Sequence, residues 1–346
     1  MIAYRFSPGQ KTLKKEDLDI PTAGPNDAVL RVRAAGVCHS DLHVLDGEVP
    51  FLKNTFTMGH EVCGELMELG SEVPATLFET GALYAVHGPN PCGNCQNCRL
   101  GRDNLCDGPG RAYIGLGADG GYADFIKVPA RNIVRVPEGV SPEVAAVATD
   151  AVLTPWHAFK TLANIRQGDT VLVIGLGGLG MNGMQIAHAL GAHVIASDVR
   201  ESSLEMAREL GADEVFHSKE LEEKIKGRRI DVAGDFVGRE STFRQAQTLV
   251  SPGGIVSAVG LGALQVPFMP MIVASYEIRV QGSFWGTSVE LKEVLRYIAE
   301  GKISPQVETG KLEDTNYWIE ELKNGRVKSR MALMPKAAEA QQPKAA

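Results

Sequence analysis

The chain is most tightly constrained at Gly175-Leu176-Gly177-Gly178-Leu179-Gly180, where glycines spaced GxGxxG close the apolar run TVLVIG at residues 170–175. Glycine alone would say little in a chain that has 38 of them. The context is what narrows the fold. An apolar strand enters the turn, a helix over residues 179–191 leaves it, and a second apolar strand, HVIASD, ends in Asp198, eighteen residues past Gly180. In such a turn Gly175 permits the sharp bend, Gly177 lets backbone approach a pyrophosphate at the helix N-terminus, and Gly180 lets helix and strand pack closely. Gly178 and Leu179 belong to the same expected cofactor-binding turn, and Asp198 would accept hydrogen bonds from the adenosine ribose. Beyond it a helix over 202–211, a strand near 231–237, a helix over 241–249 and a strand over 255–260 continue the alternation. That order predicts an α/β class with a doubly wound parallel sheet, whose strands read as continuous apolar runs because both faces are buried.

The first 149 residues have a different texture. AVLRVRAA at 28–35 and VCGELMELG at 62–70 alternate apolar and polar side chains as half-buried strands do, and glycine-rich loops such as residues 108–122 separate them. After residue 286 two helices, 289–301 and 316–324, precede a last strand within VKSRMALMP, and the final KAAEAQQPKAA has no core-forming pattern. At roughly 150 residues per domain, 346 residues predict about two domains. Against 42 acidic residues stand 35 Lys and Arg, a formal charge of −7, which argues against nucleic acid or anionic membrane as a partner. No apolar run nears the roughly 18 residues of a membrane span, and the N-terminus lacks the apolar core of a signal peptide, so a cytoplasmic location is expected.

Four of the six cysteines fall within fifteen positions, as Cys92-x2-Cys95-x2-Cys98-x7-Cys106. In a reducing compartment clustered thiols serve metals more often than disulfides. Four thiolates leave no position for water, which is the closed tetrahedral set of a structural zinc. An iron–sulfur cluster would also accept four thiolates; a zinc ribbon that reads nucleic acid fits poorly, because GNCQNCRLGRDNLCD is too mixed in charge. A second set is spread more widely, with Cys38 in GVCHSDLH and His60 in GHE. A cysteine and a histidine from separate loops, a third ligand and an open position are what a catalytic zinc requires.

With these motifs in this order, GVCHSDLH, MGHE, the cysteine lobe and VIGLGGLG, the chain resembles the zinc-dependent alcohol dehydrogenases of the medium-chain dehydrogenase/reductase superfamily over almost its whole length. VATDAVLTPWHA, FVG at 236–238 and FWGTSVEL at 284–291 are similar to the NAD-dependent secondary-alcohol dehydrogenases of microbes. The resemblance implies a β-rich, partly open barrel-like (GroES-like) catalytic domain, residues 1–149 and 288–346, into which a Rossmann domain, residues 150–287, is inserted. It implies two Zn²⁺ per subunit, NAD as cofactor, an alcohol or carbonyl as small-molecule substrate, and a homodimer or homotetramer.

By position, Cys38, His60 and Asp150 match the ligands of the catalytic zinc, and Cys92, Cys95, Cys98 and Cys106 those of the structural one. Glu61 matches a carboxylate close to the metal, and Asp41 one that holds the zinc histidine in a single tautomer. Ser40 matches the hydroxyl that takes the alcohol proton and His43 the histidine that passes it on to solvent. His39 and Arg330 match pyrophosphate contacts; Thr154, Val259 and Leu261 match positions around the nicotinamide. Val49, His87, Phe284 and Trp285 would wall the substrate pocket. Asp198 would oppose a 2′-phosphate and so favour NAD over NADP, whereas Arg200 could soften that preference. Cys63, three residues past His60, reads as a buried free thiol, and His157, His188, His193 and His217 receive no chemistry. Two functional alternatives stay open: a primary-alcohol or aldehyde enzyme of the same family, which His43 favours, and a non-catalytic zinc and nucleotide-binding protein.

Overall fold

In the computed structural model, which describes residues 1–49, 52, 54–109 and 111–336, the chain divides into two compact units. One comprises Met1–Asp150, Thr287–Leu295 and the chain from Gln306; the other comprises Ala151–Gly286 and Arg296–Pro305. The C-terminal stretch without a core pattern lies, beyond Lys336, outside the described residues.

The second unit is built on six parallel strands: Thr170–Ile174, His193–Asp198, Glu214–His217, Val232–Asp235, Ile255–Ala258 and Arg279–Gly282. Numbered in that order they lie across the sheet as third, second, first, fourth, fifth, sixth. The direction of winding reverses beside the first strand, the place where doubly wound sheets bind ligands. Leu172, Ile174, Ile195, Ala233 and Val256 form the core with Phe243 of the helix Glu240–Leu249. Residues 296–305 join this unit through specific contacts. Tyr297 meets Trp156 edge-on at 4.7 Å, and the Gln185 side chain accepts from Ser304 N–H at 2.8 Å while donating to its carbonyl at 3.3 Å.

The first unit is β-rich. Its larger sheet runs Ile133–Arg135, Leu83–Val86, Glu61–Leu69, Asp27–Val37, Arg330–Met334, Val307–Lys311, with Phe125–Pro129 also paired to Asp27–Val37. All of its pairs are antiparallel except Val307–Lys311 with Arg330–Met334. Two register irregularities on Asp27–Val37, at Val29/Leu30 and Val32/Ala34, bend that long strand. Leu30, Val32, Val62, Leu66, Val86, Ile126 and Leu333 fill its core. From this unit the chain enters the other through one helical stretch: α over Pro142–Val147, π over Ala148–Val152, α over Leu153–Trp156, π over His157–Leu162. No helix among the described residues is long and apolar enough to cross a membrane.

Candidate active site

Cys38 follows the strand Asp27–Val37 and caps the short helix His39–Leu45, and its side chain is buried. His60 and Glu61 stand at the start of the adjacent strand Glu61–Leu69, and Asp150 lies in the π turn. A π turn carries one extra residue and shifts the side chains beyond it, which is why such turns recur at functional sites. One donor atom each from Cys38, His60, Glu61 and Asp150 lies within 4.8 Å of the others. Asp150 Oδ2 is 3.6 Å from Cys38 Sγ and 3.5 Å from His60 Nε2. Metal–ligand bonds of about 2.0–2.3 Å at tetrahedral angles separate donor atoms by about 3.3–3.8 Å, so these spacings suit zinc.

The electrostatics agree with a cation at the centre of this group. Burial opposes a charge on His60, yet hydrogen bonds with Asp150, Asp41 and Cys38 outweigh it and raise its pKa well above the ordinary value. Groups that favour positive charge on the imidazole favour a metal ion beside it. Glu61 is raised to about 7, chiefly by burial and partly by Asp150, against the lowering effect of Arg330. The Arg330 guanidinium is buried and pairs with Glu61 Oε1. Asp41, fully buried, faces His60 Nδ1 at 3.3 Å and accepts from Cys38 N–H at 3.0 Å and from Tyr122 at 2.6 Å. Burial, with the Asp41 charge second, raises the Tyr122 phenol well above its usual range. Gly36 must be glycine, since a Cβ there would come within 1.9 Å of Glu61 Oε2.

Ser40 Oγ lies 3.7 Å from Cys38 Sγ, while His39 is exposed. His43 Nδ1 meets Glu48 Oε2 at 2.5 Å. Val49 is half-buried against the core of the first unit, and His87 is fully buried with its backbone bonded to Asn132 in both directions. Cys63 sits within the strand opposite Ala34 and Ala85, away from the gathered donors, where burial raises its thiol pKa.

The four-cysteine lobe folds around the short helix Gln96–Arg99 and the turn Asp103–Leu105. Cys95 Sγ is 3.4 Å from Cys98 Sγ and 3.9 Å from Cys106 Sγ, again the edges of a small tetrahedron. The N–H groups of Asn94 and Cys95 lower Cys92 to about 6, while burial, then the neighbouring thiols, push Cys98 up to about 12. Four thiols this close cannot all ionise unaided, and a bound cation is what lets them do so.

In the other unit Gly175 turns at φ +89°, and a Cβ on Gly180 would stand 1.8 Å from the Gly175 carbonyl oxygen. Gly177 is different: nothing lies within 4 Å of where its Cβ would be, leaving an open cradle beside the start of the helix Gly180–Ala189. Asp198 closes the turn from the neighbouring strand, its Oδ2 accepting from Leu176 N–H at 2.7 Å and its Oδ1 from Arg200 N–H and Nε at 2.9 and 3.2 Å. Thr154 and Val259 are buried and Leu261 is 68% exposed. Trp285 is buried at φ +51°, a conformation unusual for a bulky residue, with the half-exposed Phe284 ring edge-on at 5.7 Å.

Tyr122, Glu48 and the partnership of Glu61 with Arg330 had no signal in the sequence. Each lies far along the chain from its partner, or across a turn, and carries no motif.

A zinc-binding dehydrogenase family model matches residues 178–300, and an alcohol dehydrogenase GroES-like domain model matches residues 24–138. The chain is 32% identical to an NAD-dependent alcohol dehydrogenase of Sulfurisphaera tokodaii over 97% of its own length and 100% of that protein. It is 30% identical to an alcohol dehydrogenase of Geobacillus stearothermophilus, with 94% and 96% covered. Among solved structures, acetophenone reductase from Geotrichum candidum in complex with NAD superposes with a TM-score of 0.91 at 44% identity, covering 96% of each chain.

Proposed function

The chain belongs to the zinc-dependent alcohol dehydrogenase family and catalyses zinc- and NAD-dependent alcohol oxidoreduction, and within that activity we propose that it interconverts small to medium secondary alcohols and their ketones. The gathering of Cys38, His60, Glu61 and Asp150 around one point carries the reading. A zinc ion held there would supply a Lewis acid for the alcohol or carbonyl oxygen, and NAD would supply the hydride acceptor or donor.

The chain's own residues do the rest. Cys38, His60 and Asp150 would hold the catalytic metal. One thiolate and one carboxylate together balance a divalent ion, and the harder oxygen donor leaves it more electrophilic than a second thiolate would. Asp41 orients His60, and Glu61, balanced by Arg330, is a reserve carboxylate beside the same point. Ser40 receives the alcohol proton and His43, steadied by Glu48, releases it to solvent. Cys92, Cys95, Cys98 and Cys106 would hold the closed zinc. On the cofactor side the Gly175–Gly180 turn leaves space at Gly177 for a pyrophosphate, and Asp198 puts a negative charge where NADP would bring its 2′-phosphate.

Ketone chemistry is favoured by the likeness to acetophenone reductase and by Val49, a small side chain that would leave room for a second carbon substituent. His43 supports a second reading, the primary-alcohol one. A homo-oligomer is part of the proposal: Arg279–Gly282 is an edge strand of the parallel sheet, and Leu264, Phe268, Met271 and Tyr276 before it are exposed. Exposed edges of this kind invite pairing with a second copy, which sedimentation would reveal. A cytoplasmic location suits six cysteines that form no disulfide. The decisive experiment is an assay with NAD⁺ and NADP⁺ against primary and secondary alcohols on protein of measured zinc content. Turnover that does not need zinc, or none with any alcohol or carbonyl, would defeat the proposal.

A further inference from the structure

Tyr122 takes no part in the chemistry above, yet its ring is fully buried and its hydroxyl reaches the group around His60. That hydroxyl stands 2.6 Å from Asp41 Oδ2 and 3.0 Å from the carbonyl oxygen of Gly36. It has one proton, and an ionised carboxylate is the stronger acceptor, so the proton lies toward Asp41. The same Oδ2 accepts from Cys38 N–H at 3.0 Å. Turning the carboxylate would strip a partner from two buried donors at once, which is costly. Its other oxygen, Oδ1, is therefore held toward His60 Nδ1, 3.3 Å away. The tyrosine is itself fixed: its N–H donates to Met58 at 2.8 Å and its carbonyl accepts from Tyr4 at 2.8 Å. Gly59, at φ +94°, gives it space, since a Cβ there would come within 2.6 Å of the ring.

We infer that Tyr122 is a positioning residue for the catalytic metal: its hydroxyl locks the Asp41 carboxylate, which in turn sets the ring direction and tautomer of His60 so that Nε2 faces Asp150 and Cys38. The inference rests on reading Cys38, His60 and Asp150 as the zinc ligands. Partners that orient a metal-bound histidine typically affect metal affinity by about 10–100-fold, and one step further out the effect should be smaller, about 3–10-fold.

The test follows zinc release from the whole protein to a chromophoric chelator. Two zincs per wild-type chain, leaving in a fast and a slow phase, uphold the ligand reading; one zinc held by the cysteine lobe overturns that reading whatever Tyr122 does. Tyr122→Phe keeps the ring and removes only the hydroxyl. It is expected to speed the fast phase about 3–10-fold, leave the slow phase alone, and shift the visible spectrum of protein with cobalt at the open site. Asp41→Asn should speed the fast phase more, and adding Tyr122→Phe to it should do nothing further. An unchanged fast phase, an equal acceleration of both phases, or an undiminished effect in the Asp41→Asn background would each overturn the inference. If Tyr122→Phe does not fold, 4-aminophenylalanine at this position retains a weaker donor and carries the same test: its cobalt spectrum should differ from wild type, and an identical one overturns the role.

Discussion

Asp150 Oδ2 touches both Cys38 and His60, whereas the Cys63 thiol is embedded in a strand and held protonated by burial. In the proposed ligand set Asp150→Asn would remove the charge that helps balance a divalent ion. It is therefore expected to lower zinc content toward one per chain and to cut turnover by more than about 100-fold, since even outer partners of a metal histidine are worth about 10–100-fold. Cys63→Ala should leave both nearly unchanged. Metal analysis beside kinetics checks this, and the opposite pattern would move the ligand to Cys63. His43 offers a second comparison. With Nδ1 occupied by Glu48, the other ring nitrogen is left for proton transfer. Because water can replace a relay at its exposed end, His43→Gln is expected to slow alcohol oxidation by about 100-fold, the low end of general acid–base effects, with zinc content unchanged. The histidine was legible in GVCHSDLH, but its partner was not. Glu48 reaches it only because Gly47, at φ +79°, turns the chain back so that Glu48 N–H bonds the His43 carbonyl at 2.9 Å.

Elements were legible where burial is simple. HVIASD is legible as a strand to the residue, and Thr170–Ile174 to within one, because a strand buried on both faces is one apolar run. Strands such as Lys14–Asp17 (KKED) and Arg279–Gly282 (RVQG) escaped, since at sheet edges their residues are exposed or only half-buried and form no apolar run. The π turns were invisible too, because an added residue in a helix leaves the composition ordinary. Nor does sequence show that the cysteine lobe is moored to the helix Ser288–Ala299. Asp103, between Cys98 and Cys106, accepts from Ser288 Oγ at 2.5 Å and from Ser288 N–H at 3.2 Å. It acts as a helix cap supplied from a distant loop, and losing a cap costs about 1 kcal/mol. Asp103→Ala should therefore lower Tm by about 2–4 °C while both zincs stay bound, read by calorimetry with metal analysis. Loss of the lobe's zinc would mean that the aspartate supports the metal and not the helix.

At the scale of the molecule the two metal sets predict an order of events. With the proposed ligands the first set would leave a position that water and chelator can reach, whereas four thiolates would close the other. Chelation should abolish turnover while circular dichroism is unchanged, and only later unfold the first unit as the second zinc leaves; simultaneous loss would contradict two separate sites. Substrate choice is the remaining step, and it sets two features of the chain against each other. In the proposed reading Asp150 and Val49 favour a carbon that bears two substituents. His43 favours the primary-alcohol pattern. A second carbon substituent already eases hydride loss by stabilising the forming carbonyl, and the protein adds or removes discrimination through the space beside the reacting carbon, where one methylene is worth about 1–3 kcal/mol. Such a difference ranks substrates without excluding either kind. Accordingly, kcat/KM is expected to be about 10–100-fold higher for 2-butanol than for 1-butanol, and for 1-phenylethanol than for benzyl alcohol. Val49→Trp, at the position that the resemblance assigns to the pocket wall, should erase or reverse both ratios while zinc content is retained. A wild-type preference for the primary member of each pair would reject the ketone reading and leave the zinc dehydrogenase chemistry intact.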